Sequence, residues 1–123
     1  MTAVTITIGS LSLEATLGEG PAAKALAAAL PLTIPMSRWS DEYYGALTVK
    51  MPAGEKRRDV FEVGELALWP DGNAFCIFFG PTPVSHGDEP RMASPGIALG
   101  RITANARALA PLGARLTATI AAR

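Results

Sequence analysis

Residues 66–79 read LALWPDGNAFCIFF: two apolar runs, Leu66 to Trp69 and Ala74 to Phe79, on either side of Pro70-Asp71-Gly72-Asn73. Asp-Gly within four turn-forming residues is a strong hairpin signal, because these side chains tolerate or demand the dihedrals of a tight reversal. The two runs are predicted to lie antiparallel and adjacent. An apolar strand as long as Phe75 to Phe79 would be an aggregation hazard at a sheet edge, so the hairpin is expected inside a larger sheet or a closed one.

The flanking sequence supplies that sheet. Val4, Ile6 and Ile8 alternate with Thr5 and Thr7, and Leu11, Leu13, Ala15 and Leu17 resume the period of two after Gly9-Ser10, which marks a second hairpin turning on a glycine of positive φ. From Pro21 to Leu30 the period changes. Ala22, Ala25, Leu26, Ala29 and Leu30 recur at helical spacing, with Pro21 suited to a first helical position and Pro31 ending the run. Leu32 to Pro35, Gly45 to Met51, Val60 to Glu62, Ile97 to Ile102 and Leu116 to Ala121 read as further short strands, and Ala104 to Leu109 as a short helical turn. The fold class is therefore mostly β, with one main helix. Seven to nine short strands in one domain over residues 1–123 suit a closed barrel, or a sandwich, with its open end covered by the helix; the barrel is preferred because closure removes edges.

Composition narrows the function. Eleven basic residues balance eleven acidic ones, which leaves no net field for a polyanion and predicts no nucleic-acid partner. No apolar stretch approaches the roughly 20 residues of a membrane span, so no membrane partner and a cytoplasmic location are expected. One cysteine, Cys76, rules out an intramolecular disulfide and a paired-cysteine metal site. Set among apolar neighbours, it is expected to be a buried, unreactive thiol.

The run GELALWPDGNAFCIFFGPTP from Gly64 to Pro83 resembles the central hairpin of the cyclophilins, where a G-x-L-x-M strand precedes one of S-Q-F-F-I type. The combination RWSDEYYG, VFEVGELALWP, FFGPTP and PRMASP is similar to a group of small prokaryotic proteins called cyclophilin-like, whose function is largely uncharacterised. This resemblance covers most of the chain and implies a single cyclophilin-like domain with a distorted, closed eight-stranded β-barrel. The isomerase signature is mostly replaced: Ala74 and Cys76 stand where cyclophilins carry the pocket Gln and second Phe, Gly96 stands at the His position, and no Trp lies between Pro83 and Gly96.

The resulting expectation is a domain that binds a small molecule or an extended peptide in a barrel-side pocket. Arg38, Trp39, Tyr44, Phe75, Arg91 and Met92 are the candidate binding residues. One alternative is a weak peptidyl-prolyl cis-trans isomerase in which Arg38 stabilises the twisted amide as conjugation is lost; the other is a non-catalytic interaction or self-associating module. His86, Asp88 and Glu89 share one loop, too few convergent ligands for a metal, and no nucleotide motif is present, so no metal and no cofactor are expected. Lys56-Arg57-Arg58, between Glu55 and Asp59, reads as a solvated turn.

Overall fold

A computed structural model describes residues 1–123. Nine strands and one α-helix follow the order β1 (Thr2–Ile8), β2 (Leu11–Leu17), α1 (Pro21–Ala29), β3 (Leu32–Arg38), β4 (Glu42–Ala46), β5 (Arg58–Val60), β6 (Glu65–Trp69), β7 (Ala74–Phe78), β8 (Arg91–Ile102) and β9 (Arg115–Ala122). Eight strands pair in the order β2-β1-β9-β3-β4-β7-β6-β8, and an additional β2–β8 pairing closes them into a ring. β5 lies outside the ring, against β8. Every pairing is antiparallel. No helix is long and apolar enough to cross a membrane.

The two hairpins form as their turns dictate. Gly9 has φ +59° and joins β1 to β2, while Pro70 to Gly72 make one 3-10 turn, and Asn73, at φ +47°, leads into β7. β6 and β7 pair from Leu66↔Ile77 to Trp69↔Ala74. The helical turn is present at Ala106–Leu109.

Four strands differ from expectation. β3 runs past Pro35 to Arg38 because β9 pairs with it as far as Ser37↔Arg115, and β5 is Arg58–Val60 rather than 60–62, its partners on β8 being Gly96 and Arg91. The segment 45–51 was expected to be extended, whereas the strand is Glu42–Ala46 and Leu47 leads into a loop. The cause is Asn73: its Oδ1 accepts from Met51 N at 3.0 Å, and its Nδ2 donates to Val49 O at 2.9 Å and Leu47 O at 3.3 Å. This clamp satisfies the backbone of 47–51 locally, so no neighbouring strand is needed. Asn73→Ala removes the clamp and puts alanine at a positive φ, so an expected loss of about 2 kcal/mol in urea unfolding follows; a loss under about 0.5 kcal/mol would show the clamp to be dispensable. The fourth is β8, which starts at Arg91 rather than Ile97 because β5 gives its first half a partner.

The ring encloses a 26-residue core that includes Ile6, Leu17, Ile34, Tyr43, Phe75, Ile77, Phe79 and Ile120. Helix α1 inserts Ala22, Ala23 and Leu26 into it. Gly20, at the helix N-cap, has no side chain to cap with, and Glu55 supplies the acceptor instead, its Oε2 taking the Ala22 N–H at 2.7 Å. A second cluster lies on the outer face: Phe61, Ala67, Cys76, Phe78 and Met92, with Trp69 against it. β7 is consequently buried on both faces, which explains its unbroken apolar sequence better than alternation does.

Candidate functional site

In β4, Tyr43 and Gly45 face the interior, and strand parity puts Glu42 and Tyr44 on the outer face. Across the ladder Tyr44 pairs with Cys76 and Glu42 with Phe78. The β3–β4 turn is tight: Trp39 N donates to Glu42 O at 2.8 Å and Glu42 N to Trp39 O at 3.2 Å, with Ser40 at φ +55°. Trp39 is thereby returned to the side of Glu42. From the other direction β6 contributes Trp69, and β8 contributes Met92 and Ala93. These seven residues, Trp39, Glu42, Tyr44, Trp69, Cys76, Met92 and Ala93, line one outer cavity of about 190 Å³.

Its walls are fixed. Trp69 Nε1 donates to Ser94 Oγ at 2.7 Å, and Ser94 Oγ donates to Asp71 Oδ2 at 2.6 Å. The back of the same indole packs against Gly72, where a Cβ would sit 2.8 Å from ring atoms. Gly96 gives Met92 its place, since a Cβ there would meet Met92 Sδ at 2.3 Å and Leu68 O at 2.7 Å. Gly96 thus makes room for a thioether that lines the cavity.

Glu42 is the unusual member. It is 3% exposed, and its Oε1 has no hydrogen-bond partner. Burial pushes its carboxyl up to about 7, an effect that the Cys76 thiol offsets only in part. That thiol is a weak donor, and its Sγ lies 4.0 Å from Ala74 O. Cys76 is buried as expected, and burial first, then the Glu42 charge, raises its pKa well above the ordinary value. The other buried glutamate behaves differently. Glu65, at 6% exposed, forms a two-pronged ion pair with Arg58 and accepts the Glu62 N–H at 2.8 Å. Arg58 in turn stacks over Phe61, 4.5 Å from the ring centre. The basic triplet is therefore only partly a solvated turn, because its last member opens β5 and neutralises a buried acid.

Of the residues singled out in the sequence, Trp39, Tyr44 and Met92 meet at this cavity, whereas Arg38, Phe75 and Arg91 lie elsewhere. Arg38 donates from Nη1 to Ala110 O and Leu112 O, both at 2.8 Å, and from Nε to Ser40 O at 2.7 Å. Its Nη2 pairs with Asp41 at 3.2 Å, and the guanidinium lies 4.9 Å from the Phe79 ring centre. It pins the 110–112 segment to β3. Phe75 is fully buried inside the ring. Arg91 bridges Glu89 at 3.0 Å and Asp59 at 3.3 Å, within a loop organised by Glu89, whose carboxylate accepts the N–H groups of His86 and Gly87. Those amides first, with Arg91, hold Glu89 well below the usual carboxylate range. Glu42, Trp69, Cys76 and Ala93 complete the cavity without having been candidates; the parity of β4 is the signal that identifies Glu42 once its boundaries are known.

The Cyclophilin-like family profile matches residues 2–120, and the chain belongs to that family. Among solved structures, the solution structure of a hypothetical protein from Archaeoglobus fulgidus is similar, with 31% sequence identity, a TM-score of 0.83, and coverage of 99% of this chain and 95% of that one. Comparison with curated proteins finds no match.

Proposed function

We propose that the protein is a binding domain for a small organic molecule, held in the outer cavity between β4, β6, β7 and β8. The observation that carries this reading is the cavity itself: about 190 Å³, walled by two tryptophans, a tyrosine and a methionine around one buried carboxyl group. A cavity of about 150 Å³ is already large enough for benzene, and an apolar lining with a few placed polar groups is the usual composition of a ligand pocket. Arg38 favours binding over prolyl isomerisation, since its donors are engaged by three backbone carbonyls and Asp41. A protease-coupled prolyl-peptide assay is expected to show no acceleration; acceleration would return the protein to the isomerase class.

The binding test is a fragment series followed by nuclear magnetic resonance. Ligands are expected to shift both tryptophan indole N–H signals. Ala93 lies exposed at the cavity, so Ala93→Phe is expected to fold normally and abolish those shifts by filling the space. A series in which no fragment moves either indole signal would overturn the proposal, and so would shifts that persist unchanged in Ala93→Phe.

A further inference from the structure

Glu42 is the one carboxyl group among the cavity residues; Tyr44 and Cys76 are the other titratable groups there, and the remaining lining is aromatic or aliphatic. No cation reaches it. Arg38 is held by Asp41 and three carbonyls, and Arg58 by Glu65. A carboxylate left unpaired in an apolar enclosure is costly, whereas one with a charged donor is stabilised. An anionic ligand would be repelled, and a neutral hydrocarbon would leave Oε1 unsatisfied. Aromatic rings attract cations through their faces, and Trp and Tyr walls around an ammonium group are a recurrent binding arrangement. Trp69 has its N–H donated to Ser94, so what it contributes to the cavity is ring surface.

We infer that the cavity selects a small alkylammonium group, with the Glu42 carboxylate as its counter-ion and Trp39, Tyr44 and Trp69 as its aromatic walls. The inference rests on the cavity being a binding site. A rotation of the buried Glu42 carboxyl toward the cavity would let an ammonium N–H supply the missing partner of Oε1, and the attached alkyl chain, about six heavy atoms in a space of this volume, would replace water against Met92 and the indoles. Either a free amine or the side chain of a lysine presented by an extended peptide carries this group.

The experiment compares butylammonium chloride with 1-butanol, equal in length and differing in charge, by resonance titration at pH 8 and matched ionic strength, where the amine is protonated. Butylammonium is expected to bind about tenfold more tightly than 1-butanol, and Glu42→Gln is expected to bring the two to comparable affinity. A third titration uses an extended peptide with a central lysine. Shifts of the indole signals by that peptide would support the inference with a protein side chain as the source; shifts by butylammonium alone would support it with a free amine as the source. Binding of 1-butanol as tightly as butylammonium would overturn the ammonium inference and leave the binding reading standing, as would indole shifts from neutral fragments only. A preference for butylammonium that survives Glu42→Gln would remove Glu42 as counter-ion. Silence of both indoles toward every probe would overturn this inference and the binding reading together.

Discussion

Gly100→Ala is expected to lower the stability of the protein by about 3 kcal/mol or more. An added Cβ would lie 2.1 Å from Thr16 O, 2.9 Å from Leu17 Cα and 3.0 Å from the Thr16 carbonyl carbon. All three are backbone atoms of β2, so no side chain can turn aside, and relief requires β2 and β8 to separate. That seam is the one that closes the ring, and it is short: Ala15↔Ile102, Thr16↔Arg101 and Leu17↔Gly100, flanked by Gly18 N donating to Leu99 O and Thr103 N to Glu14 O. Parting it would expose two strand edges and the interior residues Leu17, Leu99 and Ile102. In thermal unfolding the same loss corresponds to a fall of about 12 °C for a domain of this length. Gly54→Ala is the matched control, since a Cβ there has nothing within 4 Å, and its effect is expected to stay within about 0.5 kcal/mol. Equal midpoints for the two variants would refute the account of the seam.

How far the fold could be read in advance depended on how local the deciding interactions were. The hairpins β1–β2 and β6–β7 are specified by their own turns, Gly9-Ser10 and Asp71-Gly72, and α1 by its period between two prolines. Each of these elements carries its reason within its own sequence. β4 does not. The apolar letters of 45–51 suit a strand, but a side chain more than 20 residues away, Asn73, takes up their backbone groups. The first half of β8 is likewise extended because β5 pairs with it, a contact that no local pattern encodes.

The candidate site divides along the same line. Trp39, Tyr44 and Met92 were legible because aromatics and a methionine near loop ends suggest a pocket by composition. Glu42 stands in the sequence beside Asp41 and four residues after Arg38, with nothing local to mark it as an acid without a partner. The fold assigns Arg38 to Asp41 and the 110–112 carbonyls and leaves Glu42 without a cation. Phe75 and Cys76 show how strongly parity decides: one residue of offset along β7 puts the phenylalanine in the interior core and the thiol at the outer cavity.

The unpartnered carboxyl of Glu42 has a consequence that equilibrium unfolding can measure. Its pKa is about 7 in the folded protein against an ordinary value of 4.5, raised by burial. Between those values the folded state holds a proton that the unfolded state has released, so stability must fall as pH rises. The contribution is fully present below about pH 4.5 and is lost by about pH 8; from pH 5 to pH 8 the decline amounts to about 2–3 kcal/mol. The other groups displaced from their ordinary values leave this window clear. The Cys76 thiol, raised by burial, acts only above it, and the lowered carboxyls of Glu19 and Glu89 act in the opposite sense and only at more acid pH. Urea unfolding at pH 5, 6, 7 and 8 should therefore show a declining stability for the natural sequence. Glu42→Gln, which keeps the shape and cannot ionise, should flatten that profile whatever it does to stability at a single pH. Parallel profiles for the two proteins would mean that the carboxyl finds in solution the partner it lacks here, and with it would go the physical basis for a charge-selective cavity.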